Sequence, residues 1–377
     1  MNSNPIPFSD QDLQFEYPES LTATEPSTQP RVLINERKEN QHTETLSSDS
    51  QNPENQNPEN QNSENQNPEN YEIQIKDLIE KFNPGDVLVL NETQVLKRRV
   101  FVERREILFI KEIKPQLWEV LFPVRGMSVD DSLNLPEGKI MTLVEKSKPQ
   151  VVRISEALDE AYFERHGEVP LPPYIQKNRD QRHSRKEDDR WYQTVWARNK
   201  GSLAAPTAGL HFKEHHLERL REKGVLIQKM TLHVGLGTFL PIQGTLETHK
   251  MHKEYVEVPR STWNEIIKAK QEGRRIWALG TTVTRSLESV FLGMLEKNEQ
   301  GHYCGETDLF IKPGFEFKVV DVLMTNFHQP QSTLLALVFA FAGIENVKRA
   351  YSWAIEKKFR LFSYGDLSVW KKNDPDS

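Results

Sequence analysis

The chain has 377 residues, of which 36% are hydrophobic and 28% charged, enough for two domains of ordinary size. A single cysteine, Cys304, excludes an internal disulfide and any thiolate metal cluster, and the longest apolar run, Leu334–Gly343, is well short of the ~20 residues a membrane span needs. The net charge of −6 is uneven: residues 1–70 carry −10 and the remainder +4, so the main body is mildly basic and permits a nucleic-acid partner without demanding one.

Taken in chain order, "FEYPESL" and "PRVLI" read as short ordered pieces that dock on the main body, within a segment 1–35. Residues 51–70 repeat one polar pentapeptide four times. With no apolar side chain to bury, the repeat cannot offset its ordering entropy, which predicts a disordered linker over 36–70. "YEIQIKDLIEKFNPGDVLVLN" reads as a helix, a Pro-Gly-Asp turn and a strand, with 71–87 belonging to a large domain. From 88 to 153 come short β-branched and aromatic runs, "RVFVE", "EILFI", "LWEVLFP", "IMTLVE" and "QVVRI", the pattern of a small β-barrel. Residues 154–377 then alternate. "SEALDEAYFERHG" has helical spacing, "VPLPPYI" is a proline-rigid bridge, "KNRDQRHSRKEDDR" a charged loop, and helices and strands follow in turn. The expected class is α/β (α+β): a large α/β domain with an inserted small β-barrel domain and a disordered N-terminal linker.

Six stretches carry the candidate polar groups, four of them with glycine. In "TLHVGLGTFLPI", Gly235 and Gly237 lead to Leu240 and Pro241, so a dinucleotide fingerprint fails. Alternation makes this stretch a half-buried strand with His233 opposite the leucines. "GSLAAPTAGLHF" is rich in small residues that allow close approach to the backbone, so Thr207, Gly209 and His211 are pocket candidates. "HKMHKEY" offers His249, His252 and Glu254, but lacks the His-Glu-x-x-His arrangement, and no metal is expected. "ALGTTVTRSLES" reads as strand, Gly280–Thr281–Thr282 turn and helix N-terminus, with Arg285 one turn in, a place for an anion. "DVLMTNFHQPQST" gathers Asp321, Asn326 and His328 around an apolar strand. "FSYGD" ends another buried stretch at Gly365 and Asp366.

These stretches, with "PGDVLVLNET", "PLPPYI", "YQTVWA" and "TDLFIKPGFEFKVVD", occur in an order that resembles the S-adenosylmethionine:tRNA ribosyltransferase-isomerases of queuosine biosynthesis, over about 72–369. The resemblance implies S-adenosyl-L-methionine as co-substrate and no metal. It implies as partner a tRNA carrying 7-aminomethyl-7-deazaguanine at the wobble position, whose aminomethyl group receives and isomerises the ribosyl moiety. A cytoplasmic, monomeric protein without membrane contact is expected. The chemistry needs acids and bases, for which His233, His328, His211, Asp321 and Glu254 are the candidates. Thr207, Gly209, Gly235, Gly237, His252, Gly280, Thr281, Thr282, Arg285 and Asn326 are expected to bind substrate.

The chain departs from the family pattern at "NETQVLKRR", where Gln94 stands for an arginine, and at "TNFHQPQ", where Gln331 stands for a basic residue. Trp191 takes the place of an arginine before "YQTV". Lys97, Arg98 and Arg99 are the expected compensating contacts to tRNA. The alternative reading is a non-catalytic paralogue that binds tRNA or a nucleotide.

Overall fold

The computed structural model describes residues 9–36, 69–235, 237 and 248–372. Its frame is a ten-stranded mixed sheet, in the order 296–297, 303–307, 254–258, 226–232, 87–91, 276–279, 322–326, 367–371, 31–36, 69–74. Four neighbours at its centre, Leu226–Leu232, Val87–Asn91, Ile276–Leu279 and Val322–Asn326, run parallel. The last three of these are buried along their whole length, as near-continuous apolar strands covered on both faces must be. Alternation divides their side chains between two core layers. Val87 and Val89 join the layer that holds Val283, Leu287, Leu335 and Val347 of the covering helices, while Leu88 and Leu90 join Leu217, Leu220 and Ile75 on the other face. The chain is thus a helix–sheet–helix α/β protein.

The N-terminal pieces are built into this frame. Arg31–Glu36 lies inside the sheet, parallel to Leu367–Lys371 and antiparallel to Glu69–Gln74. The expected helix at Tyr71 is therefore a strand as far as Gln74, and only Ile75–Leu78 is α-helical. Register explains the difference: Arg31 faces Gln74, and its guanidinium meets the Glu72 carboxylate with both prongs, at 2.8 and 2.5 Å. Of the linker expected over 36–70, Glu36, Glu69 and Asn70 belong to strands. The rest of the repeat, residues 51–68, lies outside the described residues.

The strand-only region forms a separate seven-stranded sheet, ordered 167–168, 99–102, 105–114, 117–121, 150–154, 140–145, 132–134 and antiparallel throughout. One face of its strands turns into a single core containing Val100, Phe109, Trp118, Leu143 and Val152, and Tyr162 and Phe163 of the helix Glu160–His166 fill it. Two limits differ from the expected insertion at 88–153. Val87–Asn91 is the middle of the large sheet, and the small sheet takes in Gly167–Glu168. No helix among the described residues is long and apolar enough to cross a membrane.

The amino ends of the central strands are fixed by Asp86, which is 1% exposed. It accepts hydrogen bonds from Arg275 Nη2 at 2.7 Å, Trp277 Nε1 at 2.9 Å and the Asn83 amide at 2.9 Å. Asp86→Ala strands these donors, so it should cost about 1–3 kcal/mol, seen as a lower urea midpoint with an unchanged denaturant slope.

Candidate functional site

The carboxyl ends of the four parallel strands emerge together, the usual place for a ligand in an open α/β sheet. Val322–Asn326 delivers Asn326 there, and Ile276–Leu279 leads through Gly280 into the helix Thr281–Phe291. Gly280 has φ 102°, a conformation that only glycine adopts without strain, and it turns the strand directly into the helix. A cavity of about 140 Å³ opens at this edge, lined by Thr207, Glu254, the Gly280–Thr282 turn, Arg285, Asn326 and His328. It shares Tyr174, Glu254, Arg285 and Ser332 with a larger neighbouring cavity of about 500 Å³.

Arg285 and Glu254 form the electrostatic centre, each 5% exposed. Arg285 Nη1 donates to Glu254 Oε2 at 2.5 Å and Nε donates to the Leu309 carbonyl at 3.1 Å. The other Glu254 oxygen accepts the Gly235 amide at 3.0 Å. Among the described residues, Arg285 Nη2 is buried without a hydrogen-bond partner. A buried guanidinium edge left unmet is costly, which makes this edge a candidate place for an acceptor brought by a ligand.

Beside it runs a neutral chain. Thr207 Oγ1 donates to Asn326 Oδ1 at 2.9 Å, and Asn326 Nδ2 donates to His211 Nε2 at 3.1 Å and to the Gly365 carbonyl at 3.4 Å. The imidazole accepts at Nε2 and so carries its proton on Nδ1. Burial, together with the charge of Arg360, lowers the His211 pKa to about 4. His328 lies 2.9 Å from Thr325 Oγ1 through Nε2, its amide donates to the Tyr351 hydroxyl at 3.0 Å, and burial lowers its pKa to about 3. Both rings are neutral near pH 7.

The structure brings Thr207, Glu254, Gly280, Thr281, Thr282, Arg285, Asn326 and His328 to one cavity, with His211 behind Asn326 and Gly235 behind Glu254. Gly237 and His252 line the larger cavity and touch, a Cβ on the glycine falling 3.3 Å from the ring.

Other candidates are placed elsewhere. Val234 faces the first cavity, whereas the next residue back, His233, pairs with Thr93 at 2.8 Å and packs on Gly201, where a Cβ would fall 2.6 Å from its Nε2. Gly209 packs on Trp196 and Thr194, a Cβ falling 2.8 Å from each, so it serves packing. Asp321 stands at the amino end of Val322–Asn326, roughly 16 Å of strand from Asn326. There it accepts from Lys270 Nζ and the Ile276 amide, both at 2.9 Å, so it is a sheet fastener and no part of the cavity.

Arg98 and Arg99 are buried and committed, to Glu160 and to Glu168 respectively, and Lys97 pairs with Asp189 at 2.8 Å. They do not form a free phosphate-facing cluster. Among the described residues no group of His, Cys, Asp or Glu is arranged to hold a metal ion.

Sequence reasoning missed Tyr174 and Phe362, which line the first cavity 5.3 Å apart in an edge-on contact. "PLPPYI" and "FSYGD" are the stretches that carry them, but nothing in either announces a shared wall. Phe362 adopts φ 71°, an uncommon conformation for an aromatic residue, which the neighbouring packing holds in place.

A family model described as "Queuosine biosynthesis protein" matches residues 10–369. A relative in Halothermothrix orenii, named S-adenosylmethionine:tRNA ribosyltransferase-isomerase, is 45% identical over 310 residues, covering 79% of this chain and 88% of its own. A relative of the same name in Thermus thermophilus is 43% identical, over 78% and 87% of the two chains. The crystal structure of the S-adenosylmethionine tRNA ribosyltransferase of Thermotoga maritima matches at 28% identity with a TM-score of 0.49, covering 95% of this chain and 99% of that one.

The two buried histidines bind a proton more readily unfolded, near pH 6.5, than folded. Their effect on stability should thus be absent above about pH 6.5 and grow unfavourable as pH falls toward 4. Urea unfolding at pH 7 and pH 5 should show a smaller acid loss for His328→Asn than for the wild type. Asp321→Asn should lower the urea midpoint and leave ligand binding at the cavity unchanged.

Proposed function

The chain belongs to the queuosine biosynthesis protein family, and on that premise we propose that it transfers and isomerises the ribosyl moiety of S-adenosylmethionine onto tRNA. The acceptor is the aminomethyl group of 7-aminomethyl-7-deazaguanine at the wobble position. The products are epoxyqueuosine-tRNA, adenine and methionine. In this reading the protein acts as a single chain in the cytoplasm, and no metal takes part.

The observation that carries the reading is Arg285 Nη2, buried at the cavity wall without a partner among the described residues. The α-carboxylate of the methionine part supplies the missing acceptor, and the N-terminus of Thr281–Phe291 adds its positive end beside it. The sulfonium acidifies the adjacent 5′ carbon, and the reaction then needs groups that accept protons. His211 and His328 are neutral and so hold no proton to donate as imidazolium, but the burial that keeps them neutral also makes them weak bases, and His211 Nε2 already accepts from Asn326, so they stand as neutral wall groups rather than as the proton acceptor. The larger cavity, with Tyr174 and His252 on its walls, leaves room for the modified base.

Incubation with S-adenosylmethionine and tRNA bearing the aminomethyl base should release adenine and yield epoxyqueuosine on digestion, detected by mass. Measurable tRNA binding with neither product would favour the non-catalytic alternative. Arg285→Lys keeps the charge but loses the planar fork. It should raise KM for S-adenosylmethionine by about ten-fold or more, the worth of one charge-assisted hydrogen bond, with a smaller change in kcat. An unchanged KM would remove Arg285 from the substrate site.

A further inference from the structure

The strip from the cavity rim to the small sheet has an unspent positive surface. Helix Pro173–Arg179 places Lys177 on the wall of the larger cavity, with a side chain 74% exposed and paired only with the equally exposed Glu19. Such a pair holds weakly and gives way to a stronger anion. The loop that follows carries Arg182, Lys186 and Arg190, all exposed and none in an ion pair among the described residues.

Arg182 crosses to the small sheet. Its Nη2 donates to the Arg104 carbonyl, and its guanidinium lies 5.3 Å from the Phe101 ring. Arg104, at the hairpin tip, is exposed and likewise without a carboxylate. His183 also lies against Phe101, with ring centroids 4.1 Å apart.

The acidic residues of the loop do not cancel this charge evenly. Asp188 is buried against Arg179 at 2.6 Å and the exposed Asp189 is held by Lys97, leaving Asp180 and Glu187 on the loop and Glu103 at the hairpin tip as the exposed acids in no ion pair among the described residues. The exposed cations Arg104, Arg182, Lys186 and Arg190 thus outnumber these three acids by one, and the half-buried Phe101 ring lies under Arg182. Spaced cations with an interleaved aromatic are suited to a phosphodiester backbone and its bases.

We propose that this strip, Lys177–Arg190 with the hairpin tip at Arg104, is the surface that holds the RNA backbone and leads its target base into the larger cavity. The assignment rests on the proposed function and replaces the buried Lys97–Arg99 run as the site of phosphate contact. It gives the charged segment a role that packing alone does not require, since Arg182 and Lys186, beyond the helix Pro173–Arg179, and Arg190, in the short helix Asp188–Trp191, are exposed.

The test uses the full chain and an unmodified tRNA transcript, with affinity followed by fluorescence anisotropy between 50 and 200 mM KCl. S-adenosylmethionine binding by calorimetry reports that the cavity is intact. The triple variant Arg104→Ala, Arg182→Ala, Lys186→Ala should bind tRNA at least about ten-fold more weakly at 100 mM salt. Its log–log salt slope should be shallower by about 2 to 3, at just under one unit per lost phosphate contact. S-adenosylmethionine binding should be unchanged. Lys186→Glu alone, which touches neither Phe101 nor the hairpin, should weaken binding in the same direction and so guards against a local folding defect. Equal slopes and affinities for the wild type and the triple variant would overturn the surface while leaving the proposed function standing. A wild type without salt-dependent tRNA binding would overturn both.

Discussion

The cavity depends on a guanidinium satisfied on one side only. Glu254 arrives on an antiparallel strand and Arg285 on the helix after Gly280, and the two meet at 2.5 Å in a place almost closed to water. Burying such a pair costs several kcal/mol of hydration per ion, and replacement by apolar groups is often neutral or better for stability. Stability therefore does not account for the pair. Its effect is positional: Glu254 takes Nη1, Leu309 takes Nε, and the plane of the guanidinium is fixed with Nη2 free. The Gly235 amide holds the other carboxylate oxygen, so neither partner can swing away without leaving a buried group unmet.

The same edge depends on Asn91, where the chain leaves the large sheet for the inserted one. Its side chain donates to the Leu232 carbonyl at 3.0 Å and accepts from the Leu232 and Thr93 amides, each at 3.1 Å. Trp196 Nε1 donates to its carbonyl at 2.9 Å from the returning segment. The exit and the return of the insertion are thus fastened to the strand that continues toward Val234 and the cavity. Thr93–Val95 and Asn199–Ser202 pair in parallel just beyond, which sets the stem of the small sheet close to the site.

What the sequence made legible follows from how local each feature is. The Gly280–Thr282 turn and Arg285 were readable because strand, glycine, threonines and helix are contiguous and the arginine lies one turn in. Asn326 and His328 were readable for the same reason, at the end of an apolar run. Asp321 was misplaced because five strand residues separate the two edges of a sheet, a distance that adjacency in sequence hides. His233 was not placed relative to the cavity on similar grounds: alternation sends it and Val234 to opposite faces, as read, but the side that faces the cavity is set by Glu254 and Arg285, far along the chain.

Arg98 and Arg99 read as surface charges, yet the carboxylates that bury them, Glu160 and Glu168, lie 62 and 69 residues away. Arg31–Glu36 could not be placed as an interior strand because its partners, Leu367–Lys371 and Glu69–Gln74, are reached only by long connections. The small sheet was legible in class because short alternating strands are a local signal, while its edges were not, since Gly167–Glu168 joins it beyond an intervening helix.

The charge state of the cavity ties these features to the proposed chemistry. A sulfonium is a fixed cation that no change of pH removes. A pocket with protonated histidines at its wall would repel it in a medium where charges are poorly screened. Here the two histidines nearest the cavity are held neutral by the burial that encloses the site, and Arg285 is matched by Glu254. Arg285 Nη2 is buried at the cavity wall without a partner among the described residues, so in the proposed reading it holds the amino-acid end of the ligand while the sulfonium meets no unmatched like charge. Enclosure and neutrality are thus one property, and both follow from placing the ends of four parallel strands, three of them buried along their whole length, under the helices Thr281–Phe291 and Thr333–Ala342.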